Sequence, residues 1–162
     1  MAHGAPTCVD DIPLYLKNIR GGTESSPEVI QIIRDRYEAI GGSSPLLEIT
    51  KSQAKNLEKF LNQNGGDFKV YIGMRNWSPY IRDVVKQMLD DGVRRVLALC
   101  LAPQYSTWST GLYFNALNEA LDKHSAGSQL PPVQLIGSWA NQPRLIDAFV
   151  DRYNTAMDKI RE

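Results

Sequence analysis

Cysteine and histidine are scarce in this chain, which has two of each among its 162 residues. Cys8 and Cys100 are too few and too far apart for a disulfide framework or a zinc knuckle, so we expect two unpaired thiols. No apolar run approaches the length of about 20 residues that a membrane helix needs. The first residues also lack the basic, apolar and small-residue regions of a signal peptide. The sequence therefore predicts a cytoplasmic protein without a membrane span.

A dominant charge is missing as well. Eighteen basic residues balance eighteen acidic ones, and neither sign is gathered into a run. Such a surface has no electrostatic footprint for nucleic acid or an anionic membrane, so neither is expected as a partner. The length and the 43% hydrophobic content suit one ordinary core. We therefore expect a single domain over residues 1–162.

Apolar residues recur at helical spacing in the first part of the chain. One set consists of Val29, Ile32, Ile33 and Tyr37, and the next of Leu46, Leu47, Ile49, Leu57, Phe60 and Leu61. Ser26 precedes Pro27, and Ser44 precedes Pro45, the order expected of an N-cap followed by the first helical position. The Gly41-Gly42 pair between the two sets is typical of a helix end. Two consecutive amphipathic helices are predicted.

Three later stretches predict strands. Phe68–Met74 is rich in β-branched and aromatic residues, and Val133–Gly137 follows two prolines. Val93–Leu101 is almost continuously apolar, as in a strand buried on both faces of a parallel sheet. Helices are predicted over Ile81–Leu89, Thr110–Leu121 and Gln142–Ile160, and polar or glycine-rich connections over residues 62–67 and 125–132. This alternation predicts an α/β fold with a parallel sheet.

Ligands of open α/β sheets bind outside the carboxyl ends of the strands. The loops expected there, His3–Asp10, Gly73–Ser78 and Ala102–Ser109, are rich in polar and aromatic residues. Such a rim suits a flat, largely apolar ligand with acidic substituents. The imidazole of His3 would lie at the rim, where it could accept a proton or bind a metal. His124 lies at a helix end in a polar stretch, and we expect it to be exposed to solvent.

Three separated segments carry a family resemblance: Met1–Pro6, Arg36–Pro45 and Leu101–Thr107. In this order they resemble the front half of a ferrochelatase. The resemblance implies a three-layer, chelatase-like Rossmannoid domain with a parallel sheet. Met1 to Gly4 would be the end of a central strand whose beginning is absent, so the fold would be marginal unless a partner supplied that strand.

The family inserts Fe²⁺ into a porphyrin in haem biosynthesis. The resemblance therefore implies coproporphyrin III or protoporphyrin IX as the porphyrin and Fe²⁺ as a substrate, without an organic cofactor or an iron–sulfur cluster. It implies a catalytic and metal-binding role for His3, at a position that is often tyrosine in soluble bacterial members. The residues it places at the porphyrin and its propionates are Arg20, Arg36, Tyr37, Ser44, Arg75 and Tyr113.

The main metal-site histidine of the family, with its partner glutamate, belongs to the second half of the family's chain. We therefore expect the isolated chain to be inactive or weakly active. Two alternatives stay open: a domain that binds porphyrin or haem through His3 without catalysis, and a homodimeric half-chelatase for a related tetrapyrrole, with two copies of His3 facing one cleft. A purely structural or interaction domain is a further possibility. Each of the porphyrin-site residues also has a structural alternative. Arg20 and Arg36 could be solvated helix charges, Tyr37 and Tyr113 could be core aromatic residues with a solvated hydroxyl, and Ser44 could be only a helix cap.

Overall fold

The computed structural model describes residues 1–63, 65–124 and 130–161. After a short 3-10 turn, Val9–Asp11, the elements are α1 (Ile12–Ile19), α2 (Pro27–Glu38), α3 (Leu46–Asn62), α4 (Ile81–Asp90), β1 (Val96–Leu99), α5 (Thr110–Lys123), β2 (Val133–Ile136) and α6 (Pro143–Arg161). The α/β class is thus confirmed. Of the predicted connections, residue 64 and residues 125–129 lie outside the described residues.

Helices α2 and α3 begin close to the predicted positions. Ser26 is extended and directly precedes Pro27 at the start of α2. The Ser44 hydroxyl accepts a hydrogen bond from the Leu46 N–H at the start of α3 (3.2 Å), which satisfies one of the free N–H groups of the first turn. Helix α1 was not predicted. Its buried residues are Ile12 and Tyr15, and Pro13 lies in its first turn.

The sheet is parallel. Strands β1 and β2 pair with Val96 opposite Val133 and Leu99 opposite Ile136. On the other side of β1, the Leu101 N–H donates to the Met1 carbonyl (2.9 Å). Ala2 in turn forms a parallel bridge with Met74. The first residues of the chain therefore lie between β1 and the segment around Met74, the central position that was predicted for them.

The predicted strand Phe68–Met74 was wrong apart from the bridge at Met74. Three of its backbone groups, at Phe68 and Val70, are bound by side chains of α3 instead of by a neighbouring strand. The Asn62 side chain binds both the N–H and the carbonyl of Phe68, each at 2.8 Å. The Val70 N–H donates to a carboxylate oxygen of Glu58 (2.6 Å). Because these groups are already paired, the segment runs to the sheet edge without forming a regular strand.

The predicted strand Val93–Leu101 is shorter than expected, and its burial on both faces was wrong. Only Val96–Leu99 is regular. Ala98 is 5% exposed, whereas its neighbour Leu97 is 55% exposed. Helices α4 and α5 pack against each other, and their apolar residues share a core with Ala98 and Cys100. Both helices therefore cover the same face of β1, which leaves the face of Leu97 accessible.

The main core lies between these two helices and β1. Its buried residues are Ile81, Val85, Ala98, Cys100, Tyr113, Phe114, Leu117, Ala120 and Leu121.

Both cysteines are free, as predicted: Cys8 is exposed and Cys100 is buried. No helix within the described part of the chain has the length and apolar character needed to cross a bilayer.

Candidate functional site

The loop that follows Gly73 is closed by its own backbone and held against the start of the chain. The Met74 N–H donates to the Pro79 carbonyl (2.7 Å), and the Ile81 N–H donates to the Met74 carbonyl (3.0 Å). The Asn76 N–H donates to the His3 carbonyl (2.9 Å). Two of the three predicted rim loops are thus in direct contact, with His3 at their junction.

The His3 ring lies between a buried amide and a buried phenol. The side-chain nitrogen of Asn76 is 3.2 Å from both ring nitrogens of His3. The Tyr15 ring meets the His3 ring edge-on, with centroids 6.2 Å apart. On its other side Tyr15 meets Trp77 in the same way. Asn76 is 2% exposed and Tyr15 is 8% exposed, so both are firmly embedded beside the more accessible imidazole.

Three tyrosines from three helices come close together beside this ring. Burial raises the pKa of Tyr15, of Tyr37 and of Tyr113. The Tyr15 hydroxyl also interacts with the hydroxyl of Tyr37 and lies near Tyr113, and both neighbours raise its pKa further. The three phenols therefore stay neutral at ordinary pH and can donate hydrogen bonds.

The charge of this region comes from Arg75. His3 is exposed as a whole residue, but its neighbours partly desolvate the ring, which lowers the pKa of His3 below its ordinary value of 6.5, and the nearby Arg75 guanidinium lowers it further. The same guanidinium partly offsets the rise that burial causes in the pKa of Tyr113. The result is a neutral imidazole next to a fixed positive charge. Such a pair can accept a proton at the imidazole and bind a carboxylate at the guanidinium.

We define the His3 cluster as the residues that these contacts and charges connect: His3, Tyr15, Tyr37, Arg75, Asn76 and Tyr113. Four of the seven residues predicted from the sequence belong to it, namely His3, Tyr37, Arg75 and Tyr113. They come from the start of the chain, α2, the loop before α4, and α5. The fold therefore brings together residues that lie far apart in sequence.

Three predicted residues lie outside this cluster. Arg20 is exposed and donates to the Ser25 hydroxyl (3.1 Å). Arg36 is exposed in the last turn of α2, and the Ser44 hydroxyl accepts a hydrogen bond from Leu46, the first residue of α3. Among the contacts of the described residues, none joins Arg20, Arg36 or Ser44 to the His3 cluster.

The sequence analysis did not identify Tyr15, Asn76 or Asn18. The side-chain nitrogen of Asn18 donates to the Asn76 carbonyl (3.1 Å) and to the Tyr80 hydroxyl (3.0 Å). Asn76 lies in a loop that had been assigned to the rim, but loop position alone does not indicate burial. Tyr15 follows Ile12 at the i, i+3 spacing of a helix face, and this signal could have revealed α1.

The third rim loop presents aromatic surface. Trp108 is 85% exposed and Tyr105 is 55% exposed. The hydroxyl of Thr110, at the start of α5, donates to the Gln104 carbonyl (2.8 Å) and fixes the loop to that helix. Exposed aromatic rings of this kind can cover a flat apolar ligand.

Other features lie away from the His3 cluster. A cavity of ≈ 530 Å³ opens beside Arg94, before β1, and beside Pro132, before β2. It is therefore at the amino end of both strands. His124 lines it and is exposed, as predicted.

Within the described ranges, no group of three or more histidine, cysteine, aspartate or glutamate residues is arranged to hold a metal ion.

Comparison with known proteins gives one family. The family model described as ferrochelatase matches residues 1–162. A coproporphyrin III ferrochelatase of Listeria monocytogenes is 41% identical over 162 residues, which cover 99% of this chain and 51% of that protein. A coproporphyrin III ferrochelatase of Bacillus subtilis is 41% identical over 154 residues, which cover 94% of this chain and 48% of that protein.

A ferrochelatase of Acidobacterium capsulatum is 41% identical over 161 residues, which cover 99% of this chain and 46% of that protein. The chain thus spans about half the length of the curated relatives it matches. The matched region includes every residue of the His3 cluster and confirms the resemblance drawn from the three sequence segments. This chain belongs to the ferrochelatase family.

Proposed function

We propose that this chain is the porphyrin-binding N-terminal half of a ferrochelatase and that it acts as one domain. The complete reaction would insert Fe²⁺ into a porphyrin, with the four ring nitrogens binding the iron and two pyrrole protons leaving. The His3 cluster carries the proposal, because it combines a neutral imidazole, neutral phenols and a guanidinium at the carboxyl end of the sheet.

Coproporphyrin III is the proposed porphyrin. The relatives from Listeria monocytogenes and Bacillus subtilis are both named coproporphyrin III ferrochelatases. Its four carboxylates would suit Arg75 together with the exposed arginines Arg20 and Arg36, whereas Tyr105 and Trp108 would cover the ring edge. Protoporphyrin IX, with two carboxylates, would make fewer of these contacts.

His3 is the residue we assign to the porphyrin face. Its pKa is lowered, so at neutral pH the imidazole has a lone pair with which it could accept a pyrrole proton or contact the incoming iron. Tyr37, Ser44 and Tyr113 would contact the porphyrin or its propionates. Removing two protons and stripping the iron of water are more than one imidazole supplies. We therefore expect this chain to bind the porphyrin without turning it over.

The test is titration of coproporphyrin III with the chain, followed by porphyrin fluorescence. We expect saturable binding that is weakened in the Arg75→Gln and His3→Ala variants. Arg144→Gln, which changes an exposed arginine at the start of α6, is the matched control and should bind like the unmodified chain. Absence of binding by the unmodified, folded chain would contradict the proposal.

The same samples are then incubated with Fe²⁺ under anaerobic conditions. We expect no loss of fluorescence beyond the protein-free rate. Turnover that depends on the chain and disappears in His3→Ala would instead favour a self-sufficient dimer, with two copies of His3 facing one porphyrin. Measuring the oligomeric state in the presence of coproporphyrin III would then test that alternative directly.

A further inference from the structure

Helix α6 has an apolar side that the described residues leave exposed. The helix has 19 residues, and none of them is buried. Phe149 is 62% exposed and Ile160 is 77% exposed. A helix with such a side gains most of its stability from packing it, so α6 needs a partner surface. The large apolar residues recur at spacings of three, four and seven positions, and together they form what we call the α6 stripe: Ile146, Phe149, Val150, Tyr153, Met157 and Ile160.

The second uncovered surface is one face of the sheet. Residues of a strand point alternately to its two faces, and Ala98 points into the core formed with α4 and α5. Leu97 and Leu99 therefore point to the other face, and the strand register places Gln134 and Ile136 beside them. We call these four residues the open face. A parallel sheet normally has helices on both faces, but among the described residues no helix covers this one, and Leu97 is more than half exposed.

The α6 stripe and the open face do not cover each other within one chain. The Trp139 N–H donates to the Pro103 carbonyl (2.9 Å), and its indole N–H donates to the Cys100 carbonyl (2.8 Å). These bonds fix the connection before α6 at the carboxyl end of β1, shortly before Pro143 begins the helix. Helix α6 thus starts from an anchored point, and its stripe remains available to a second molecule.

The charges beside the two surfaces are complementary. Arg95 directly precedes β1, two positions before Leu97, and it is exposed at the amino end of the open face. Asp147 and Asp151 are exposed on α6, one turn apart, and so lie along one side of the α6 stripe. A helix laid on the open face can therefore bring an acidic edge towards a basic group as well as apolar side chains towards each other.

We infer that this chain forms a symmetric dimer in which the α6 stripe of each copy lies on the open face of the other. A twofold exchange covers all four surfaces with one kind of contact, so a second copy suffices as the partner. Aromatic side chains bury about 150–250 Å² each, and every α6 stripe has two of them. With the aliphatic residues and both open faces added, the covered area exceeds the roughly 1,200 Å² of the smaller stable interfaces.

This dimer goes beyond the proposed function and does not involve the His3 cluster. It differs from a dimer in which two copies of His3 face one porphyrin, because its contacts lie at α6 and the open face. The His3→Ala variant should therefore dimerise like the unmodified chain. Loss of the dimer in folded His3→Ala would contradict the inference and favour the arrangement with two facing histidines.

The first measurement is sedimentation equilibrium of the unmodified chain over a dilution series. We expect a dimer at about 100 μM that dissociates on dilution. Phe149→Asp and Tyr153→Asp place a charge in the α6 stripe and should each raise the dissociation constant at least about tenfold. Ala148→Asp, at an exposed position on the other side of α6, is the matched control and should leave it unchanged. A chain that is monomeric at about 100 μM would overturn the inference, whatever other molecule then binds α6.

A mixing experiment tests the exchange itself. Leu97→Asp alters the open face and should weaken the dimer as Phe149→Asp does, whereas a dimer held by helix-on-helix contact would be insensitive to Leu97→Asp. When the two variants are mixed, the intact α6 of the Leu97→Asp copy can lie on the intact open face of the Phe149→Asp copy. The mixture should therefore contain more dimer than either variant alone at the same total concentration. No gain on mixing would rule out the exchange.

Circular dichroism establishes that each variant is folded before it is compared. The α6 variants change no buried residue, so they leave the core of α4, α5 and β1 intact. If Leu97→Asp does not fold, Leu97→Gln takes its place, since it keeps the length of the side chain and still removes its apolar character.

Discussion

Gly4 packs directly on the backbone of Trp77: a Cβ atom at Gly4 would lie 2.7 Å from the Trp77 backbone nitrogen. It would also lie 3.1 Å from the Cβ atoms of Met74 and of Trp77. The backbone of Gly4 has a φ of +85°, a conformation that residues with side chains rarely adopt. The glycine after His3 thus lets the chain turn away while the loop of Asn76 stays in contact.

Substitution of Gly4 by alanine should therefore destabilise the fold. We expect a loss of about 1–3 kcal/mol in the free energy of unfolding, from backbone strain and from the close contact. Gly21→Ala is the control, since Gly21 also has a positive φ (+62°) but no atom within 4 Å of its would-be Cβ. Urea denaturation should give a clearly larger loss for Gly4→Ala than for Gly21→Ala; equal losses would mean that packing on Trp77 contributes nothing.

The hydroxyl of Thr110 should stabilise the rim loop. Thr110 is fully buried, and its hydroxyl donates to the Gln104 carbonyl (2.8 Å). Thr110→Val keeps the shape but leaves that carbonyl without this donor, which should cost about 1–2 kcal/mol in thermal or urea unfolding. Thr155→Val removes a comparable bond to the Asp151 carbonyl (2.9 Å) on the exposed face of α6, and its cost should stay below about 0.5 kcal/mol.

His3 should make stability depend on pH in a defined direction. Its pKa in the folded chain is lowered below the ordinary value of 6.5, first by burial and then by Arg75. Below pH 6.5 the unfolded chain therefore binds a proton at His3 that the folded chain resists. The contribution of His3 is fully favourable above pH 6.5 and declines as the pH falls from 6.5 through the pKa of the folded state.

Urea midpoints measured on both sides of pH 6.5 test this expectation. The decline towards acidic pH should be smaller in His3→Gln than in the unmodified chain, whereas His124→Gln should retain it. A steeper decline in His3→Gln would show that protonated His3 is stabilised by the fold, opposite to the sign expected here.

Arg36 should affect porphyrin binding and leave stability unchanged. It is exposed in the last turn of α2, directly before Tyr37 of the His3 cluster. An exposed ion pair contributes about 0.2–1 kcal/mol, so Arg36→Gln should weaken coproporphyrin III binding by at most about fivefold. The weakening should disappear with the tetramethyl ester of the porphyrin and at high salt. An equal loss with the ester would rule out a carboxylate as the partner of Arg36.

The helices that the sequence predicted correctly are those with a clear apolar period and local end signals. Ser26, Pro27 and the Gly41-Gly42 pair mark ends through interactions within a few residues, and α2 and α3 follow them. The strands were harder to predict from the sequence. Phe68–Met74 has the composition of a strand, but its backbone is paired with Asn62 and Glu58 side chains, a competition that no local pattern reveals.

The candidate site also depends partly on local sequence signals and partly on long-range contacts. By itself the sequence determined the α/β alternation, the rim loops and the family, because periodicity, turn residues and motifs are local properties of the chain. Only the tertiary structure decided that Tyr15 and Asn76 hold the His3 ring, and that Arg20, Arg36 and Ser44 lie outside the cluster. The contacts of His3 with Tyr15 and with Asn76 join residues more than ten positions apart, and they depend on how α1 and the loop before α4 pack against the start of the chain.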